Sequence, residues 1–515
     1  MASGSKSDLV SVVIDNGAHT LKYGVVGGGA PGCGSGSRPR KGRGKGWGEP
    51  VAGVNGVAKS RTGRRYVGGE LAALQDVSGL LLRRGFEKGY VVNWELESEV
   101  WAQALGEQGL DVAPAECALV TSEKLFCPPS LQQASLEALF EGFGFASIAK
   151  KDPSVLAWHD HSQQIRTGMS GTDAAERIGN GAERMGGGGG VEEEATRGRA
   201  HYIAQCGLVI DCGYSACTAT PILQGYPVNF AAKRMDVGGR ALTNYLKELV
   251  SFRQYNMDEE ALLLDRVKAR YCYVSPDFAS ELRSSKRAGP RAPMRKVFPI
   301  SQVAGWESSS DEEEEGAVVV DDAEQSENHP DAEEGEEEDK PEEVDLIHAR
   351  TEGKSPQKKA AASSQSAKRN RNDRDARTPQ LMTMNTERIC VPELLFHPSD
   401  IGISQGGLDE LVFHSVAATN EYLHAPLYSN IFVYGGSSSF PGLAARLQSS
   451  LRTLVPDQFP LRIHFSQRPT FAPWYGAAAL IQNDPEFLAT QSVSREEYQE
   501  RGWGHIYASR KFALG

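Results

Sequence analysis

Two widely separated stretches of this 515-residue chain share one construction. The apolar, β-branched run Leu9 to Ile14 ends in Asp15-Asn16-Gly17, and Leu21 to Val26 resumes the pattern. Gly207 to Ile210 runs into Asp211-Cys212-Gly213, and Cys217 to Leu223 follows. A strand pattern broken at Asp-x-Gly and then resumed reads as an antiparallel hairpin. Either one alone is an ordinary β-turn; the repetition is what restricts the fold. A tight glycine turn bares backbone N–H groups that can wrap phosphate oxygens, and an Asp at a strand end can orient a hydrated Mg²⁺. Lys22, one strand beyond Asp15, can reach a phosphate as a point charge. A third unit, Asn430 to Tyr434, then Gly435-Gly436-Ser437 and a helical run from Gly442 to Leu451, offers backbone against which a nucleoside can lie, with a helix N-terminus adding its dipole. The candidate nucleotide-binding residues are therefore Asp15, Gly17, Lys22, Asp211, Gly213, Gly435, Gly436 and Ser437. Asp15 and Asp211 are the candidate Mg²⁺ ligands, through water.

Helical periodicity over Ser130 to Glu141, Arg240 to Phe252 and Met257 to Tyr273 alternates with these strands and argues for an α/β fold. Three segments lack the apolar residues to offset chain entropy and read as disordered insertions. They are about 27–65 (Gly and basic), 161–200 (Gly-rich) and 284–384 (basic, acidic, then basic). Without them about 350–370 residues of globular sequence remain, enough for two lobes. The resulting division is 1–160 for the first lobe, 201–283 and 385–480 for the second, and 481–515 for a C-terminal segment. The net charge of −12 is local: Glu307 to Asp345 holds 20 acidic residues and one lysine, leaving the body mildly basic. No run of apolar residues is long enough to span a membrane, and the N-terminus lacks a signal-peptide pattern, so a nuclear or cytosolic location is expected. The eight Cys form no CxxC pair and read as ordinary buried thiols rather than a disulfide or zinc framework. His159-Asp160-His161 has no third ligand nearby and reads as an exposed polar turn. No GxxxxGK[ST] loop is present, which sets aside a GTPase-type site.

The series Ile14-Asp15-Asn16-Gly17 with Lys22, Tyr66-Val67-Gly68, Gly89 to Trp94, Ile210-Asp211-Cys212-Gly213, Gly238-Gly239-Arg240, Cys272-Tyr273-Val274, Pro392 to Phe396, Gly435-Gly436, Phe440-Pro441-Gly442 and Trp474-Tyr475-Gly476 resembles actin and the actin-related proteins. His397 to Gly402 and Ser494 to Tyr498 are most similar to a nuclear branch that serves remodelling complexes exchanging histone H2A for H2A.Z. The resemblance implies an actin-like two-lobed ATPase fold: two ribonuclease-H-like domains around a cleft for ATP or ADP with Mg²⁺. It adds Lys268 as a nucleotide-contacting helix residue. It also implies partners: a remodelling ATPase, a zinc-finger HIT-type subunit, H2A.Z/H2B and nucleosomal DNA, with no membrane.

Departures from actin matter as much. Ala18 and His19 stand where actin has a phosphate-contacting Ser and a Gly, Tyr214 replaces an acidic residue of the metal shell, and Ala269 replaces another after Lys268. Pro153 falls nearest the position of the water-positioning Gln, and a proline cannot orient a water through an amide. Losses of this kind typically weaken catalysis by a few kcal/mol each. The cleft is thus read as a structural nucleotide site or its vestige, with no catalytic residue. Gly28 to Arg65 lacks the loop that grips the next subunit in filaments, so a homopolymer is not expected. Ser308 to Glu314 offers an anionic surface for basic histone tails, and Lys358-Lys359 with Lys368 to Arg371 a nuclear-import or DNA-phosphate contact. The expected function is a non-catalytic scaffold subunit; the alternatives are an active actin-fold ATPase and a cytoskeletal filament protein.

Overall fold

The computed structural model describes residues 9–26, 48–168, 205–288, 292–300, 303, 380–484 and 486–509. Within these, two sheets repeat one plan. In the first, strand Val10–Asn16 pairs antiparallel with Thr20–Val26 and parallel with Cys117–Ser122. In the second, Cys206–Cys212 pairs antiparallel with Cys217–Leu223 and parallel with Ile431–Tyr434. The first sheet continues on one side through Ser147–Lys151 to Val493–Ser494 and on the other to Val51–Val54; the second adds Ile463–Phe465, Tyr226–Pro227 and Lys233–Met235. Every residue of Thr20–Val26 and of Cys206–Cys212 is buried, as expected where both faces of a mixed sheet are covered. The Asp-x-Gly repetition in the sequence is therefore a repetition of topology.

Two helices join the halves. Pro153–Gly168 leaves the first sheet at Ser147–Lys151 but packs Ala157 and Trp158 against Val209 and Phe432 of the second. Ala472–Asn483 follows the second sheet's last strand and packs Trp474 and Ala477 against Val13 and Val120 of the first. The Trp474 indole Nε1–H donates to the Val13 carbonyl at 3.1 Å. The helices cross in contact at Gly476, so the chain passes between lobes twice through one packed axis.

The expected insertion limits shift inward. Strands Val51–Val54 and Val57–Ser60 lie inside the span read as the first insertion, and Arg65–Val67 starts at its last residue; Val51–Val54 forms an edge of the first sheet, and Val57–Ser60 pairs on both sides in a separate three-stranded sheet. The helix Pro153–Gly168 runs past residue 161, where the second was expected to begin. The last turn of helix Phe278–Ala288 and the pair Lys296–Pro299 with Leu381–Met384 fall within the third. That last pairing brings residues 299 and 381 together, so the charged stretch between them leaves and re-enters at one hairpin. The runs Ser308 to Glu314, Lys358-Lys359 and Lys368 to Arg371 lie outside the described residues, as does Cys33. All seven described cysteines are free thiols, six of them buried.

His159-Asp160-His161 is not an exposed turn. It lies within the Pro153–Gly168 helix, and the apolar residues around it bury His161 against the second sheet. The His161 ring stacks on Phe432 at 4.3 Å, with Nε2 3.3 Å from Asn430 Oδ1 and the His464 ring 5.2 Å away. Burial, with the neighbouring His464, pushes its pKa down to about 3. A histidine that is neutral when folded but titrates near 6.5 when unfolded contributes stability above pH 6.5 that is lost as pH falls toward 3, by about 1.4 kcal/mol per pH unit. His161→Phe keeps the stack and removes the proton site, so its urea midpoint is expected to fall less steeply than wild type between pH 7 and pH 5. Parallel profiles would show that this ring does not set the acid limb.

Candidate functional site

In the first hairpin Asp15 stands opposite Lys22 across the ladder, so their side chains share a face. Lys22 Nζ donates to Asp15 Oδ2 at 3.0 Å, and Ser122 Oγ donates to Asp15 Oδ1 at 2.6 Å; Asp15 and Lys22 are both buried. A Cβ at Gly17 would sit 2.9 Å from both Lys22 Nζ and the Thr20 carbonyl, which is why a glycine occupies the turn. Asn55 Nδ2 donates to Asn16 Oδ1, to the Gly17 carbonyl and to Glu97 Oε1, each at 3.0 Å. Glu97, fully buried beneath the turn, has its pKa raised by burial to about 7, against the hydrogen bonds it accepts from Asn55 and Trp101. Arg84 Nη1 donates to the carbonyls of Ala18, His19 and Asn55 at 3.0, 2.8 and 2.8 Å.

The second turn faces the first. Asp211 Oδ2 accepts from Lys124 Nζ at 3.0 Å, and Lys124 belongs to the other lobe, two residues beyond Cys117–Ser122. Burial disfavours this ammonium, but the Asp211 carboxylate outweighs it and raises the lysine's pKa. The carbonyls of Gly213 and Tyr214 accept from Gly239 N and Arg240 N at 3.1 and 2.8 Å, tying the turn to the start of helix Gly239–Arg253. The Tyr214 ring lies 4.9 Å from the His19 ring and 4.8 Å from the Arg84 guanidinium, both of the first lobe. His19 Nε2 also reaches Asp265 Oδ2 at 2.5 Å on helix Ala261–Tyr271. Burial lowers the pKa of His19 despite this partner, and Lys268 with His19 holds the Asp265 carboxyl well below the usual range against its burial. Lys268 Nζ donates to Asp265 Oδ1, Thr243 Oγ1 and the Gly239 carbonyl at 2.6, 2.7 and 2.9 Å.

The third glycine turn abuts the second. Gly435 has φ of 100°, and a Cβ there would lie 2.5 Å from the Cys212 carbonyl oxygen. Gly436 is open: a Cβ there would meet only Thr470 Cγ2, at 3.9 Å, and Ser437 Oγ is 3.5 Å from where one would sit on Gly239. The expected helix dipole at this turn is not in place. A 3₁₀ turn, Gly436–Ser439, intervenes, and the helix Leu443–Leu454 starts only after Gly442, itself at φ 85°. The consecutive serines and Pro441 favour a turn over immediate helix propagation.

The three turns and Lys268 therefore converge on one interlobe region. Sequence reading missed Lys124, Arg84 and Asp265. Lys124 and Asp265 lie in segments without a glycine signature and Arg84, beside Gly85, lies outside the paired Asp-x-Gly turns, so only the tertiary fold brings each to the cleft. Pro153, in the first turn of its helix, follows Asp152, whose carboxylate accepts from Leu125 N and Ser154 N at 3.0 and 2.8 Å and whose pKa burial raises to about 6. Lys124, Asp152, Pro153 and Asp211 line a partly open recess of about 30 Å³. Among the described residues no three His, Cys, Asp or Glu are placed to hold a metal together, and no helix is long and apolar enough to cross a membrane.

Two hairpin-centred sheets, three facing glycine turns and a double crossover between lobes define the actin fold. The family model described as Actin matches residues 6–513, and the chain belongs to the actin family. It is similar to proteins named Actin-related protein 6. That of Oryza sativa subsp. indica is 31% identical over 432 residues, covering 83% of this chain and 85% of its own. That of Dictyostelium discoideum is 30% identical over 508 residues, covering 97% and 94%, and that of Neurospora crassa 31% over 517, covering 100% and 96%.

Proposed function

We propose that this protein is a non-catalytic actin-related subunit of a nuclear chromatin-remodelling complex of the kind that exchanges H2A for H2A.Z. It acts as a scaffold for a remodelling ATPase and a zinc-finger HIT-type subunit. The observation that carries the reading is the lining of the cleft. Both phosphate-turn carboxylates are bonded to lysine ammoniums, and a proline stands where the family positions its attacking water. Phosphoryl transfer depends almost wholly on positioning and charge stabilisation, so a cleft altered in this way is suited to holding a shape. The glycine turns retain backbone that fits a nucleotide's phosphates and, at Gly436, open space for its nucleoside. ATP or ADP there would brace the lobes. The acidic stretch 307–345 supports contact with basic histone tails of H2A.Z/H2B, and the mildly basic body supports contact with nucleosomal DNA.

The test is a tagged pull-down of the full chain from nuclear extract with mass spectrometry of stoichiometric partners. Recovery of the remodelling ATPase, the HIT-type subunit and H2A.Z is expected. Recovery alone, or with cytoplasmic actin regulators, would overturn the proposal. Steady-state ATP turnover abolished by Asp211→Ala would favour an actin-fold ATPase, and a pellet on sedimentation in Mg²⁺ and moderate salt would favour a filament protein.

A further inference from the structure

We propose that Lys124 is the resident cation of this cleft: its ammonium occupies the place beside Asp211 where a hydrated Mg²⁺ would be held, and keeps divalent metal out. This deepens the non-catalytic reading above, and its test measures metal uptake rather than turnover or partners, so the two can fail separately.

The charge arrangement carries the argument. A hydrated divalent ion between the two phosphate turns needs carboxylate oxygens that face it without a competing ammonium. Asp15 has both oxygens engaged, Oδ2 by Lys22 at 3.0 Å and Oδ1 by the Ser122 hydroxyl at 2.6 Å. Asp211 Oδ2 is engaged by Lys124 at 3.0 Å, and the same ammonium lies 3.5 Å from where a methyl on Gly213 would sit, directly over the second turn. Two carboxylates thus face two ammoniums, and a divalent cation entering there would meet like charge on both sides.

The lysine's position is also built rather than incidental. The residue after it is clamped on both sides of its peptide: Leu125 N donates to Asp152 Oδ2 at 3.0 Å, and the Leu125 carbonyl accepts from the Tyr90 hydroxyl at 3.1 Å. The stem passes the Gly89 turn, with Cδ 3.6 Å from where a Cβ on that glycine would sit. Lys124 comes from one lobe and Asp211 from the other, so the pair does what a metal-bound phosphate would do, drawing the lobes together across the cleft. A polyphosphate in the cleft meets Lys22 and Lys124 directly and needs no divalent ion to be neutralised.

The experiment is Mn²⁺ titration of the full-length protein by electron paramagnetic resonance, with Mn²⁺ alone and with Mn²⁺ plus ADP. Wild type and Lys124→Gln are compared, with circular dichroism confirming the fold; Lys124→Met, which keeps the apolar stem, replaces the Gln variant if that one is unfolded. Removing the ammonium is expected to create one Mn²⁺ site at least about tenfold tighter than anything in wild type, lost again in Lys124→Gln/Asp211→Asn. One equivalent of Mn²⁺ bound by wild type as tightly as by the variant would overturn the proposal. So would folded variants that gain no site.

Discussion

Gly476→Ala is expected to destabilise the protein by about 3 kcal/mol or more, at or above the upper end of what added methylene-sized groups cost in packed cores. A Cβ at this position would stand 1.7 Å from the Leu156 carbonyl oxygen and 2.5 Å from its carbon. Both belong to the backbone of helix Pro153–Gly168, so no rotamer change can relieve the clash. The helices must separate. That helix cannot retreat, because its other side is wedged against the second sheet: Gly207 faces Trp158 so closely that a Cβ there would meet the ring at 2.2 Å. Nor can Ala472–Asn483 move away, since Trp474 behind it is fully buried and hydrogen-bonded to Val13. The strain therefore falls on the axis joining the lobes. Gly142, whose added Cβ would meet nothing within 4 Å, is the control; Gly142→Ala is expected to stay within about 0.5 kcal/mol of wild type. Urea denaturation of the three proteins decides it, and a Gly476→Ala midpoint matching the control would mean the helices are not held as tightly as the packing indicates.

Much of this was legible because local chemistry and tertiary role coincide at the glycine turns. Asp15-Asn16-Gly17 and Asp211-Cys212-Gly213 announce hairpins by composition, and their topological repetition follows from β-branched runs on either side. Gly435-Gly436 was legible for the same reason, and so was the helix that follows Gly442; the 3₁₀ turn Gly436–Ser439 that holds the helix start away from the glycines was not, because consecutive serines carry no sign of which turn they will form. His161 illustrates the opposite failure. A polar triplet beside a Gly-rich segment looks exposed, and nothing local shows that Phe432, far along the chain, will cover it. Lys124 and Asp265 were missed on the same ground: a charged residue in an ordinary helix or loop carries no sign of the side chain it will face. The insertion limits erred outward because a few Val and Tyr residues suffice for a short strand once a neighbouring strand is present to pair with them. The cleft's inventory could thus be read from its turns, while its charge balance required the fold.

Arg446→Met is expected to cost about 3–5 kcal/mol above pH 7, the range for stripping one partner from a buried ion pair. The Glu393 side chain is fully buried at the end of helix Glu387–Glu393, and Arg446 on Leu443–Leu454 reaches it through Nη2 to Oε1 at 2.9 Å. Arg446 Nη1 also donates to the Ser275 carbonyl at 2.9 Å, and its guanidinium lies 4.9 Å from the centre of the Phe396 ring. One side chain therefore ties three segments of the second lobe. Burial raises the pKa of Glu393 even with Arg446 and His397 beside it. Without Arg446 only His397, 2.8 Å from Oε1 and half exposed, remains to stabilise the carboxylate, and the carboxyl pKa rises further. A carboxyl whose folded pKa lies above its unfolded value favours the folded state below the unfolded pKa and loses that advantage as pH rises through the folded one. The deficit of Arg446→Met is therefore largest at alkaline pH and shrinks on acidification. Glu393→Gln in the same background removes the charge that cannot be solvated, so the double variant is expected to recover a substantial part of the loss at pH 8 and almost none at pH 5. Denaturation midpoints of the wild type, both single variants and the double variant at these two pH values close the cycle. Additive losses at both would show that the ion pair is not what joins these helices, and would leave the Ser275 and Phe396 contacts to account for the stability of this corner of the lobe.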